Sequence, residues 1–277
     1  MHAPEQYEEN KSVARRDIEE AMTDLIPRME FKQKEVILDY GCGAGTTGYK
    51  FFKPLAEEYD SVIHAVDISS EMIQHARENF SHARVTYTQG NILDDDYPLK
   101  DVQFDRIFSV YVFHYMKDYK EAMRRFYKVL KPGGQFAFSL VARTPVYNMF
   151  SAVGEDPRFK KYMQGYQEFI PQWFEEKQCA EHAKQCFVTT AEDAGFVVKY
   201  SKISYQRDFH PSFDTIIGLF MALNPFIKNF PKELIGELWA AKKSSICQHY
   251  GQSEDSESTE TRHEMLTFLV ERPLCTQ

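Results

Sequence analysis

Over the first 140 positions, apolar residues fall in short runs of strand length, each followed by a stretch with helical spacing. The first run, Glu35-Val36-Ile37-Leu38, ends on Asp39, and a helix-forming segment extends from about Thr46 to Leu55. A second run, Ser61 to Val66, ends on Asp67; Ser69 or Ser70 then caps a helix carrying Met72. Val85 to Gln89 and Phe104 to Val110 read as the third and fourth strands, and Lys131-Pro132-Gly133-Gly134 as a turn into a fifth, Gln135 to Leu140. Strands alternating with helices predict an α/β fold with a parallel, doubly wound sheet.

The pattern changes after Leu140. Thr144 to Trp173 is rich in aromatics and Met, broken by Pro145, Pro157 and Pro171. Lys177 to Ala194 predicts a helix closed by Gly195, and Phe196–Ile203 and Glu264–Val270 complete a seven-stranded sheet. A helical insertion, Phe213 to about Gln248, is interrupted at Asn224-Pro225-Phe226, and Gln252–Thr261 reads as a mobile Ser- and Glu-rich loop. The expected organisation is a helical segment (1–34) covering a cofactor, a cofactor-binding core (35–143), and the remaining sheet with cap insertions at 144–176 and 210–250.

Chemistry concentrates where the first strand ends. Gly41, Gly43 and Gly45 permit positive φ and let a ligand sit against the backbone, and the next helix offers unpaired N–H groups. Gly43-x-Gly45-x-x-Gly48 also spells a dinucleotide fingerprint, but that frame leaves Gly41 and Cys42 as surplus turn residues. Asp39 would repel a pyrophosphate and attract an ammonium group, which favours S-adenosylmethionine. Asp67 is placed to accept from ribose hydroxyls. Ile68 and Met72 are candidates to cover the adenine, Met72 being equally suited to core packing. The Asn91 amide and the Ile92 N–H are candidates for the adenine edge. Cys42 reads as a small packing residue in the cofactor turn, not a nucleophile.

Charge and cysteine content narrow the class. A formal charge of −8 argues against a nucleic-acid partner, and the basic pairs Arg124-Arg125 and Lys242-Lys243 read as solvated helix faces. Five cysteines (Cys42, Cys179, Cys186, Cys247 and Cys275) without a C-x-x-C pair predict reduced thiols and a cytoplasmic protein. No N-terminal stretch reads as a signal peptide, and the apolar helix near Ile216–Ala222 is too short to span a bilayer. Asp94-Asp95-Asp96 is a solvated loop, so no metal is expected. Tyr147, Phe150, Trp173, Phe220 and Met221 in the insertions predict an apolar lining beyond the carboxyl ends of the strands, and so a greasy substrate.

Asp39-x-Gly41-x-Gly43-x-Gly45, Asp67 and the Pro132-Gly133-Gly134 turn resemble the class I S-adenosylmethionine-dependent methyltransferases, which have a Rossmann-like fold. A narrower resemblance, nearly end to end, is to the insect juvenile hormone acid methyltransferases. It is carried by Tyr7, Ser12, Arg16-Asp17, Asp67-Ile68-Ser69, Glu71-Met72, Ser109-x-Tyr111-x-x-His114, Thr144-Pro145, Phe169-Ile170, Asn224-Pro225-Phe226 and Pro231-Lys232. Those enzymes methylate the carboxylate of farnesoic acid or juvenile hormone acid. The resemblance implies that Ser109 and Val110 help hold the cofactor, and that Tyr7 and the position of Ala14 face the substrate. Where the family has Gln and Trp to hold the substrate carboxylate, this chain has Ala14 and Tyr115.

The reaction expected is transfer of a methyl group to the carboxylate of a lipophilic acid, with His114, Tyr115 and Arg143 orienting the acid. An ionised carboxylate needs no base. Two alternatives stay open: methylation of a phenol or amine with His114 as base, and a catalytically weak binder of terpenoid acids. His114 is equally compatible with a structural role, and Arg143 with a surface position. The oligomeric state is not legible.

Overall fold

The computed structural model describes residues 12–174, 179–210, 212–224 and 226–274. Seven strands form one sheet in the order β3-β2-β1-β4-β5-β7-β6. They are β1 (Val36–Tyr40), β2 (Val62–Asp67), β3 (Val85–Gln89), β4 (Phe104–Val110), β5 (Leu130–Arg143), β6 (Val197–His210) and β7 (Thr259–Glu271). β1 pairs in parallel with β2 and β4, β2 with β3, and β4 with β5. This is the Rossmann-like, doubly wound arrangement read from the alternation of strands and helices. The chain divides into two compact units, one of residues 1–140, 184–203 and 266–277, the other of 141–183 and 204–265. The stretches 184–203 and 266–277 therefore belong with the sheet core, a finer division than the expected break at residue 143.

In the first unit, side-chain alternation along β5 sorts two apolar layers. Phe136 and Phe138 point to one face, where Phe138 stacks on Phe268 of β7 at 4.9 Å. The rings of Phe113, of Phe126 on α4 (Tyr119–Val129) and of Phe187 on α6 (Ala180–Asp193) close round them, all fully buried. Ala137, between the two, points to the opposite face and packs in a cluster with Ile37, Phe108 and Leu269. That cluster also takes Ile18, Met22 and Leu25 of α1 (Ser12–Leu25), which sets the inward face of this helix. Phe52 stacks on Phe108 at 4.2 Å from the start of α2 (Lys53–Glu58). α3 (Ser70–Asn79) is capped by Ser69, whose hydroxyl accepts from the Met72 N–H at 3.3 Å.

The second unit holds α5 (Pro145–Glu155), α7 (Phe213–Leu223) and α8 (Ile235–Tyr250). Met149, Phe213, Ile216, Ile217, Ile246 and Cys247 form one apolar cluster, and Val153, Phe159, Met163, Phe230 and Leu238 a second. Met221 packs against both.

Local geometry corrects several expectations. Lys131–Gly134 is not a free-standing turn. It lies inside β5 as a bulge, because the four residues between Leu130 and Gln135 of β5 face the single residue between Phe104 and Arg106 of β4, and Gly133 takes φ +78°. The helix after the glycine turn runs to Glu58 and opens with a π turn at Gly48–Phe52. β6 extends to His210, and β7 begins at Thr259, inside the stretch read as a loop. That loop is tied down: the Gln252 amide donates to the Glu260 carbonyl at 2.8 Å, and the Thr259 hydroxyl donates to the Gln252 side chain. Lys242, read as solvated, is buried on α8.

Because four buried rings, those of Phe113, Phe136, Phe187 and Phe268, contact Phe138, truncating it leaves a cavity that rigid neighbours cannot fill. Phe138→Ala is expected to destabilise the protein by about 3–5 kcal/mol. Phe136→Leu, which keeps most of the volume, should have a much smaller effect; chemical denaturation of both variants measures the difference.

Candidate functional site

The candidate cofactor site lies where β1 ends. The Gly41 and Cys42 N–H groups both donate to the Val66 carbonyl, at 2.7 and 3.0 Å, which turns the chain sharply over the end of β2. Gly41 (φ +76°) has no room for a side chain, since a Cβ would lie 2.3 Å from Val112. Gly43 (φ +53°) differs: a Cβ there would meet nothing within 4 Å, so this glycine faces open space. Gly45 (φ +92°) backs onto Ala76 and the Tyr87 hydroxyl. A left-handed backbone beside free volume suits a ligand lying against the main chain.

Asp39 sits beneath this turn, 3% exposed, and its Oδ2 has no hydrogen-bond partner among the described residues. Burial, then the charge of Asp67, pushes its carboxyl up to about 7. A buried carboxylate without a counter-ion is costly, and a ligand ammonium would supply the missing charge. Asp67 is already engaged: Oδ2 accepts from the Gly43 N–H and Oδ1 from the Ser69 N–H, both at 2.9 Å. Each carboxylate oxygen retains a further lone pair for a hydroxyl. Burial drives the Cys42 thiol well above its ordinary range, so it stays protonated.

The predicted adenine contacts separate. Ile68 is 66% exposed at the end of β2 and open to a ligand, whereas Met72 is 1% exposed and packs internally. The Ile92 N–H is not free for a base edge, because it donates to the Tyr40 hydroxyl at 3.0 Å. Asn91 is likewise engaged: its Oδ1 accepts from the Leu93 N–H and its amide donates to Asp94. Tyr40 is thus a site residue that pattern reading passed over. It is the last residue of β1 and ties that strand to the loop after β3. Its only sequence signal is a large aromatic directly before Gly41.

β4 leads, in the same unit, to the residues expected to face the acceptor. Ser109 is fully buried with its hydroxyl unpartnered among the described residues, and Val110 is 8% exposed. Tyr111 then takes φ +65°, a conformation unusual for a residue with a bulky side chain. Nothing in the sequence marks this strain. It sets the Tyr111 ring edge-on to His114 at 4.9 Å, and the Tyr115 ring lies 4.2 Å from His114 on a 3-10 turn anchored by buried Phe113. Burial pushes the His114 imidazole down to about 3, so it is neutral at physiological pH. Tyr115 is 57% exposed.

In the second unit, Arg143 ends β5, 3.8 Å from Glu264 and with its guanidinium 6.0 Å from the Phe174 ring centre. It lines a cavity of about 490 Å³ together with Asn148, Phe174, Tyr205, Arg262 and Glu264. Tyr147 and Trp173 are buried and Phe150 half-buried. Ala14 lies half-buried on α1 in the first unit. Tyr7 and the side chain of Phe220 lie outside the described residues. Among the described residues no cluster of His, Cys, Asp or Glu could hold a metal ion, and no helix is long and apolar enough to cross a membrane.

Asp39 makes stability pH-dependent. Its folded pKa of about 7 exceeds the unfolded value of about 3.9, so the ligand-free protein loses stability as pH rises from 4 to 7, on the order of 4 kcal/mol for this group. Asp39→Asn, neutral throughout, is expected to melt near the wild-type temperature at pH 4 and clearly above it at pH 8, by differential scanning calorimetry.

Similarity to known proteins agrees with this geometry. The chain is 25% identical over 241 residues to juvenile hormone acid O-methyltransferase of Drosophila melanogaster, covering 84% of this chain and 79% of that protein. For the Bombyx mori enzyme of the same name the figures are 22% over 241 residues, 85% and 82%. A solved structure of Haemonchus contortus phosphoethanolamine N-methyltransferase 2, in complex with phosphomonomethylethanolamine and S-adenosylhomocysteine, has a TM-score of 0.51 at 20% identity. It covers 92% of this chain and 53% of that one, and shows the fold. Residues 31–215 match the methyltransferase domain, and with well over half of its length inside that match the chain belongs to the methyltransferase-domain family.

Proposed function

We propose that this protein is an S-adenosylmethionine-dependent O-methyltransferase acting on the carboxylate of a lipophilic, isoprenoid acid such as farnesoic acid or juvenile hormone acid, a small-molecule partner. The cofactor part of this reading rests on the chemistry of the first unit: an unpartnered, buried Asp39 carboxylate for the ammonium, an open backbone face at Gly43, and lone pairs on Asp67 for the ribose. When bound, the cofactor supplies an electrophilic methyl group on a cationic sulfur.

The observation that carries the choice of acceptor is the neutral, desolvated His114. Taking a proton from a phenol near pKa 10 onto an imidazole near 3 is uphill by roughly 10 kcal/mol. As a general base for a phenol it is therefore poorly matched. A carboxylate arrives already ionised and needs only a hydrogen-bond donor to hold one oxygen while the other is presented for transfer. Neutral His114 can donate through a ring N–H, and the Tyr115 hydroxyl can donate beside it. Positioning of this kind, with water excluded, is what such a reaction asks of a protein. The two insect relatives carry the substrate class in their names.

Incubation with methyl-labelled S-adenosylmethionine and a panel of lipophilic acids is expected to yield labelled methyl esters; no ester from any acid would overturn the assignment. At saturating donor, turnover should be flat from pH 6 to 9, whereas an inflection near 6.5 would identify His114 as a base and favour a phenol or amine acceptor. His114→Ala is expected to lower kcat/KM roughly tenfold to a hundredfold, the loss of one hydrogen bond to a charged group.

Donor binding has its own signature. Affinity for S-adenosylhomocysteine should be full above pH 7 and fall as pH drops below it, because protonation of Asp39 in the free protein competes with the ammonium. Asp39→Asn should bind more weakly and lose that dependence, as isothermal titration calorimetry would show. Tight binding of terpenoid acids without turnover would instead mark a binding protein, the reading that Ala14 and the exposed Tyr115 keep in view.

A further inference from the structure

In the second unit the end of β6 and the start of β7 lie side by side as a ribbon with two unlike faces. One face is closed: His263 Nδ1 lies 2.8 Å from Asp208, His210 lies 2.9 Å from the Thr261 hydroxyl, and all four residues are buried. Side chains alternate along a strand, so Arg207 beside Asp208, and Arg262 and Glu264 on either side of His263, turn to the other face. Those three residues line the cavity of about 490 Å³. The end of α8 walls it, where the Tyr250 hydroxyl accepts from the Arg262 N–H at 3.1 Å and donates to the Arg262 carbonyl at 2.9 Å.

The lining sets three guanidiniums, those of Arg143, Arg207 and Arg262, against the one carboxylate of Glu264, in a chain whose formal charge is −8. Arg262 also meets Glu260 at 3.1 Å, but its side chain is 61% exposed, and an exposed pair of that kind holds weakly. Guanidinium forks match the paired oxygens of a phosphate, and a phosphate monoester brings about two negative charges. The lining also holds acceptors that lack donors. Neither Glu264 Oε2 nor Asn148 Oδ1 has a hydrogen-bond partner among the described residues, and Arg143 Nε stands 3.8 Å from the former. Acceptors left this way call for N–H or O–H groups on a ligand. Phe174, Tyr205 and Tyr250 add aromatic faces on which a flat ring can stack.

We propose that this cavity binds a phosphate monoester whose organic part is a planar ring with N–H groups on its edge, the chemistry of a purine nucleoside monophosphate. The phosphate lies among the three arginines and the ring against the aromatic walls, while Glu264 and Asn148 accept from the ring edge. Asp39, Asp67, His114 and Tyr115 do not line the cavity. The site therefore goes beyond the methyl-transfer reading and stands whether or not an acid is methylated.

The probe is guanosine 5′-monophosphate, titrated calorimetrically into the full chain with saturating S-adenosylhomocysteine, which keeps the nucleotide out of the cofactor site. Saturable binding is expected, with guanosine and inorganic phosphate each at least roughly tenfold weaker, because each lacks part of the contacts. R207M and R262M should each weaken the nucleotide roughly tenfold to a hundredfold, the loss of a hydrogen bond between charged groups. Both variants should melt with the wild type, since both side chains are exposed. Their effect locates the nucleotide in this cavity even if S-adenosylhomocysteine fails to bind. Farnesoic acid should leave the nucleotide's affinity unchanged; displacement by it would assign the cavity to the acceptor and overturn the proposal. So would absence of nucleotide binding to the wild type, binding that survives both arginine substitutions, or guanosine binding as tightly as its monophosphate.

Discussion

One carboxylate organises the first unit. Asp39 is placed by β1 in the interior, where its Oδ2 has no hydrogen-bond partner among the described residues, and the glycine turn above it leaves the backbone at Gly43 open. Folding alone would never select that arrangement, because an asparagine or an apolar residue would be more stable there. The rest of the unit supports it. Two hydrophobic layers clamp the sheet, and the Tyr40 hydroxyl pins the neighbouring loop. The Asp67 carboxylate fixes Gly43 and Ser69 by accepting from their N–H groups.

The strands and the glycine turn were legible because their signals are local: apolar runs of strand length, an aspartate at the end of each of the first two strands, and glycines where the backbone takes positive φ. Boundaries shifted where pairing partners decide. β5 absorbs Lys131–Gly134 because β4 and the Gly133–Arg272 backbone contact keep it extended. β6 and β7 outrun their apolar cores, carried by neighbours that cannot be seen from either strand alone.

What the sequence concealed depends on distance or on torsion. Ile92 was legible as a donor, but its partner Tyr40 lies 52 residues away in the chain. Tyr111 looks like any strand-end aromatic until its backbone is seen in the left-handed region. Lys242 belongs to a double-lysine pattern that ordinarily faces water, and only packing of α8 reveals that one of the pair is inside. Polar residues buried against type are where pattern and fold disagree, and such disagreements concentrate at sites that bind. Family membership sharpens the same point. The fold is shared by proteins with different acceptors, so the acceptor has to be read from particular side chains and not from the fold.

Cys42 carries a last implication. Oxidants and alkylating electrophiles attack thiolates, and this sulfur, enclosed and set among acidic neighbours, is kept as the thiol. The residue nearest the cradle is therefore chemically quiet, and peroxide damage would fall first on an exposed sulfur such as Cys179. Methyl-donor binding should thus be insulated from the redox state of its surroundings, although a cysteine stands at its centre.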